Sequence, residues 1–374
     1  MKKINNLKEL RTLVSTDRVF HLYSAGFAAG NFLRNIHTCG VQIDIRDILV
    51  TKSEGNPDKF CGYPVVEYEE SALSGKDCIL LTVSDRFKDE IVNHLANTKA
   101  EVVYPSPVIF YNDVFDSIAP FIVSFPKNIS GINSPIDYSV KRVWTCWWQG
   151  EKAAPDIVRA CWQSQRENIP EDAEHIIITK DNYAEYITIP DYVMDKFQNG
   201  ENMIAHLADF IRACLLYRYG GVWLDSTVLL LDVLPEECWS LPLYTWRFDN
   251  THFASKTIWT TWFLGAKKGS LLWQFVMEAF LYYFTAYDKV KYYLTIDYFI
   301  AICSNLFDEV LDQFRQIPYN NEKAVRLAEH LHEPFSEESF REYCKDTFLQ
   351  KLSWHGEGYK ESSMYSNILH KYIH

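Results

Sequence analysis

Along the first portion of the chain, short β-rich apolar runs alternate with stretches whose apolar residues recur at helical spacing. Residues 19–23, 43–50, 78–83 and 101–104 read as strands, and residues 24–30 as a glycine turn leading into a helix that starts at 31–37. Between the third and fourth strands, Phe87, Ile91, Val92 and Leu95 define one apolar face of a helix over residues 85–96. Strands alternating with helices predict a parallel α/β sheet.

Polar residues with Pro120, Pro126, Gly131 and Pro135 interrupt this rhythm between residues 119 and 141, as a linker does. The pattern then restarts. A strand is expected at 143–147, a helix at 155–164 with Ile157, Val158, Cys161 and Trp162 inward, and a strand at 175–179. A long helix over 203–219 is stopped by Gly220-Gly221, and a short strand at 222–224 runs into Asp225. The expected organisation is a Rossmann-like domain over 1–125, a linker over 126–140 and a second α/β domain over 141–374. The most apolar long run, 271–284, is broken by Gln274 and Glu278 and is too short to span a bilayer, which takes about 20 residues. No signal-peptide core precedes it, so a cytoplasmic protein is expected.

Composition narrows the function. A net charge of −12 argues against nucleic-acid binding through broad electrostatics, while leaving room for a local basic pocket. The nine cysteines form no CxxC pair, so zinc and redox dithiol chemistry are not expected; they read as small hydrophobes in a reducing compartment.

The segment from His206 to Thr227 carries the chemistry. Asp209 and Arg212 lie three apart and share a helix face; Arg212 offers a rigid donor fork and Asp209 offers acceptors for sugar hydroxyls. Asp225 stands where a buried strand ends, the place where open α/β sheets bind ligands, and could orient a hydroxyl or hold a hard cation. Taken singly, each is ordinary: a helix-face ion pair, a turn aspartate, a glycine cap. Their combination in one short segment is not.

The string Asp209-x-x-Arg212-x-x-x-Leu216-Tyr217-x-Tyr219-Gly220-Gly221-x-Trp223-Leu224-Asp225-x-Thr227 resembles the donor site of the family 32-like sugar transferases with a DXD motif. More narrowly, it is similar to the bacterial capsular polysaccharide synthesis proteins. Residues 143–150, Ala154-Pro155 and residues 176–190 extend the likeness, which covers most of 140–374. Length and two-part layout resemble the streptococcal capsule glucosyl- and galactosyltransferases.

The resemblance implies a GT-A-type fold, a UDP-glucose or UDP-galactose donor, and retaining transfer to a lipid-linked saccharide, with peripheral contact at the inner membrane face. Residues 144–150 would line the uridine pocket: Thr145, Trp147, Trp148, Gln149 and Gly150, with Ser226 and Thr227 also near the donor. Asp225 would be the first acid of the motif. Thr227 replaces the second, which weakens the case for a directly bound Mn²⁺ or Mg²⁺, though Asp225, Thr227 and His355 remain the expected ligands. In the glycine-bearing stretch 353–360, His355 could touch metal or phosphate and Lys360 could offset diphosphate charge, although such loop residues are often idle. Asp297 is a further candidate carboxylate, or else an aspartate favoured by a helix N-terminus. Trp259, Trp262 and Phe263 could platform an acceptor sugar, or be core.

Two other readings stand beside this one. Gly26 and Gly30 follow a strand but leave GxGxxG incomplete, which keeps open a dinucleotide- or methyl-donor-binding Rossmann enzyme. The lost acid at Thr227 keeps open a silent sugar-nucleotide binder.

Overall fold

The computed structural model describes residues 1–83, 85–126, 140–200, 202–248, 258–356 and 358–373, apart from the side chains of Phe27, Asp85 and Arg86. Most of the stretch expected to be a linker, residues 126–140, lies outside these residues. Two compact units are present, the first formed by Met1–Pro120 and Val290–Tyr298 and the second by the remaining described residues.

The elements of the first stretch are β1 (Lys2–Ile4), α1 (Leu7–Val14), β2 (Val19–Tyr23), α2 (Phe27–Thr38), β3 (Ile45–Val50), β4 (Lys59–Phe60), β5 (Tyr63–Glu67), β6 (Asp77–Leu81), α3 (Asp85–His94), β7 (Glu101–Pro105), α4 (Val108–Ser117) and α5 (Ala119–Ser124). Asn6 caps α1 by accepting from the Glu9 N–H, and Leu7, Leu10 and Leu13 form its buried stripe. The seven strands form one sheet in the order β1-β7-β6-β2-β3-β5-β4, parallel except for β4 against β5. The chain winds outward from β2 through β3 to β5, then returns to β6 beside β2, the doubly wound pattern expected. Helix α2 begins at Phe27, four residues earlier than the glycine pattern predicts, with Gly26 as its cap.

Within this sheet His21 is 2% exposed and lies between two carboxylates. Its Nδ1 is 2.6 Å from Asp47 Oδ1 and its Nε2 is 3.1 Å from Asp77 Oδ1. Asp77 also accepts from the Ser74 N–H and hydroxyl.

The second stretch continues with β8 (Lys141–Cys146), α6 (Asp156–Glu167), β9 (Ala173–Ile178), α7 (Asp191–Gln198), α8 (Ile204–Arg218), β10 (Gly221–Leu224), β11 (Val228–Leu230), α9 (Glu237–Ser240), β12 (Leu243–Thr245), β13 (Phe263–Ala266), α10 (Leu271–Ala286), α11 (Thr295–Leu306), α12 (Asp308–Arg315), α13 (Glu337–Tyr343), β14 (Leu349–Lys351) and α14 (Met364–Tyr372). Its main sheet is mixed, in the order β12-β13-β10-β8-β9: β9, β8 and β10 are parallel, while β13 opposes both β10 and β12. A separate antiparallel ribbon pairs β11 with β14 and sets Val228 opposite Lys351. Helix α6 turns Ile157, Val158, Cys161 and Trp162 inward, where Leu229, Met364 and Ile368 belong to the same core.

Gly220 and Gly221 do more than cap α8. Both have positive φ, +69° and +94°, which side chains rarely adopt. A Cβ on Gly220 would stand 2.6 Å from the Lys268 nitrogen, and one on Gly221 would strike the Arg142 carbonyl oxygen. The glycine pair therefore lets β10 enter the sheet between β8 and β13.

No helix among the described residues is long and apolar enough to cross a membrane. Helix α10 buries Leu272, Trp273, Phe275, Val276, Ala279, Phe280, Tyr283 and Phe284, so its aromatic run is core.

Candidate active site

Helix α8 and the end of β10 bring the predicted acid, guanidinium and second acid together. Asp209 and Arg212 are 8% and 5% exposed. The Arg212 guanidinium lies 3.2 Å from Asp209 Oδ1 and 3.1 Å from Asp225 Oδ1, so one cation bridges two carboxylates. It also covers the Trp223 ring at 4.6 Å from the centroid, and the Trp223 Nε1–H donates to Asp225 Oδ1 at 2.9 Å. The Arg212 Nε–H is buried with no hydrogen-bond acceptor among the described residues.

A residue that the sequence reading missed completes the cluster. Lys351, at the end of β14, places its Nζ 3.2 Å from Asp225 Oδ2 and donates to the Thr227 hydroxyl. Asp209, Arg212, Asp225 and Lys351 thus alternate in charge. Only the outer pair reaches solvent appreciably, with side chains 27% exposed at Asp225 and 24% at Lys351. Burial alone would raise the Asp225 carboxyl. The Lys351 ammonium, the Arg212 guanidinium and the Trp223 hydrogen bond outweigh that and hold it below the ordinary carboxylate range.

The turn from Asp225 to Val228 is fixed from behind. The Gln165 amide donates to the carbonyls of Asp225 and Val228 at 3.3 and 2.8 Å, and its oxygen lies 2.8 Å from His175 Nε2. Burial and the Arg166 charge push the His175 pKa down to about 3, so the ring is neutral and donates through Nε2. The Thr145 and Ser226 hydroxyls bond to one another at 3.0 Å, and Ser226 donates to the Cys146 carbonyl. With Thr145 wholly buried, both side chains join the end of β8 to the turn.

The remaining candidates separate. Trp144 is fully buried and donates to the Gly220 carbonyl, so it belongs to the core and not to a nucleotide pocket. Trp147 meets the edge of Trp354 at 5.7 Å, which joins the 147–150 turn to the 353–360 stretch. Trp148 lies against Tyr183, Gln149 is exposed, and Gly150 turns the chain at φ +92°. His355 and Lys360 are exposed, and among the described residues neither hydrogen-bonds to Asp225 or Thr227; the His355 ring rests on Trp354. Asp297 is buried in the first turn of α11, in the segment grouped with the first unit. Trp259 and Phe263 are core, while Trp262 is half-buried beside Trp246.

Two of the expected cation ligands, Asp225 and Thr227, already have side-chain partners. Hard cations need free, preferably charged oxygens. Asp225 Oδ1 already accepts from Arg212 and Trp223, Oδ2 faces Lys351, and the Thr227 hydroxyl accepts from Lys351. Among the described residues, no three His, Cys, Asp or Glu side chains gather into a possible metal cluster.

The first unit has a groove of its own, about 720 Å³, lined by Gly26, Gly30, Arg34, His37, Phe60 and Tyr63 among others. It lies beside α2 and the β4–β5 hairpin. A dinucleotide would instead lie at the switch point between β2 and β6.

Comparison with known proteins bears on the second unit. A family model described as "Capsular polysaccharide synthesis protein" matches residues 113–372. The chain is similar to the O-glycosyltransferase PaGT of Phomopsis amygdali, 26% identical over 163 residues that cover 39% of each chain. It is similar to the glycosyltransferase afumC of Aspergillus fumigatus, 40% identical over 52 residues, 14% of this chain and 13% of that one. The probable glycosyltransferase FCK3 of Fusarium pseudograminearum is 27% identical over 115 residues, 28% of each. The chain thus spans 39% or less of the length of these curated relatives.

Proposed function

The chain belongs to the capsular polysaccharide synthesis protein family, and from that premise we propose that it is a glycosyltransferase of GT-A type. It moves glucose or galactose from a UDP-sugar to a lipid-linked saccharide with retention of configuration. The observation that carries the reading is the buried relay from Asp209 through Arg212 to Asp225, which opens to solvent only at its outer carboxylate and at Lys351. Aligned charges of this kind, isolated from water and fixed by Gln165 and Trp223, suit a polar donor whose charge grows as its bond breaks.

In the reaction, the bond between sugar C1 and the β-phosphate oxygen breaks and leaves its electron pair on the phosphate. The acceptor hydroxyl oxygen bonds C1 from the same face, and its proton passes to the departing phosphate oxygen, which gives a glycoside and UDP. Asp225 holds the sugar hydroxyls, Asp209 anchors Arg212 from the buried side, and Arg212 keeps both carboxylates charged and oriented. In this reading the Trp147–Trp354 pair borders the uracil end of the donor.

The test is a UDP-release screen across UDP-sugars with wild type and Asp225→Asn. Wild type should turn over a UDP-hexose, and Asp225→Asn should lose about 100-fold or more in kcat with UDP binding largely kept. A folded Asp225→Asn protein that retains most of its activity rejects this assignment.

A further inference from the structure

Resting on the glycosyltransferase reading, we propose that the Lys351 ammonium, and not a divalent cation, neutralises the leaving diphosphate in this protein. Lys351 Nζ stands between the Asp225 carboxylate and the Thr227 hydroxyl, the first and third groups of the Asp-x-Thr sequence. A cation held by that sequence would occupy the same space.

Three observations carry the inference. The first is charge: Arg212 and Lys351 already balance the carboxylates of Asp209 and Asp225, so no unmatched carboxylate is left in the cluster to hold a dication. Thr227 in place of an acid removes the carboxylate that would have compensated it. The second is occupancy, since both Asp225 oxygens and the Thr227 hydroxyl are engaged by Arg212, Trp223 and Lys351.

The third is rigidity. Lys351 is fixed by the strand pairing of Val228 with Lys351 and by backbone hydrogen bonds from its own N–H to the Ala324 carbonyl, 2.6 Å, and from the Leu352 N–H to the Thr227 carbonyl, 2.9 Å. The ammonium is thus built into the ribbon, and its partial exposure leaves it within reach of a ligand. During transfer Lys351 keeps its protons and donates a hydrogen bond to the phosphate oxygen that receives the electron pair of the breaking C1–O bond. No metal enters the balance.

The experiment uses the full chain with UDP, UDP-glucose and UDP-galactose, in excess EDTA or in Mn²⁺, with UDP binding read by calorimetry and UDP release by kinetics. For wild type, Kd and kcat in the two conditions should agree within about threefold, or under 1 kcal/mol. Lys351→Met should lower kcat in EDTA by about 100- to 1,000-fold, with a smaller change in donor KM. Lys351→Arg should recover much of that loss. Wild-type binding and turnover that vanish in EDTA and return with Mn²⁺ overturn the inference and leave the transferase reading standing. If no UDP is bound or released in either condition, the transferase reading falls, and the inference with it. The wild-type comparison decides the matter even if Lys351→Met fails to fold.

Discussion

Replacing Arg212 by Met removes the cation at the centre of the buried relay while keeping a long apolar side chain over Trp223. The guanidinium side chain is 6% exposed and lies within 3.2 Å of two carboxylates. Breaking a buried pair at one partner costs about 3–5 kcal/mol, because the remaining charge keeps its desolvation penalty without the attraction that offset it. Asp225 retains Lys351 and Trp223, which favours the low end, about 3 kcal/mol. The lost cation–π contact adds about 0.5–1 kcal/mol. Against a domain stability of about 5–15 kcal/mol, that is a large share. Urea unfolding at neutral pH, followed by tryptophan fluorescence, should show the loss in Arg212→Met. A double-mutant cycle with Asp209→Asn should give a coupling of about 1–3 kcal/mol, since the double variant leaves one fewer charge stranded. If Arg212→Met costs less than about 1 kcal/mol and the cycle is additive, the relay does not hold these carboxylates and the electrostatic account fails.

Two further outcomes concern the scaffold. Burial would lower the His21 pKa, but Asp47 and Asp77 lift it above the ordinary 6.5, so its stabilising contribution is complete below pH 6.5 and fades as pH rises through the raised value. The wild-type melting temperature should fall over that rise and His21→Gln should flatten the slope; equal slopes would remove His21 as its source. Gly221→Ala meets both a φ of +94° and the Arg142 carbonyl, and should cost about 2 kcal/mol or more by thermal melting, while Gly200→Ala, at φ +70° with open space around it, should cost about 1 kcal/mol. Equal losses at the two glycines would mean that backbone crowding at β10 is not what selects Gly221.

What could be read in the sequence followed from local periodicity. Val19–Tyr23 was legible as a strand to the residue, and the spacing of Asp209 and Arg212 placed them on one helix face before any coordinates. Their burial was not legible, because α8 is apolar on nearly every side and no stripe marks which face meets the sheet. Strands β1 and β5 escaped notice: Lys2 and Lys3 make β1 look polar, and Pro64 with a largely exposed pattern disguises β5. Lys351 was missed for a different reason. It lies one residue before Leu352 and the glycine-bearing stretch that drew attention to His355 and Lys360, and its role exists only because β14 pairs with β11. A lysine between Gln350 and Leu352 in a short β-like run was the available signal. In the same stretch Trp354 meets Trp147 and Tyr359 stacks on Tyr365, aromatic contacts across the unit that spacing cannot reveal.

The pairing of β14 with β11 also orders events at the ribosome. Arg212, Trp223 and Asp225 emerge almost together, but Lys351 follows Asp225 by 126 residues. At translation rates of about 5–20 residues per second, that is an interval of roughly 6–25 s. Throughout it, residues 228–230 lack the strand with which they pair and the Asp225 carboxylate lacks its second counter-ion. The nascent chain therefore carries a half-built anionic site, which closes only when the distant strand arrives.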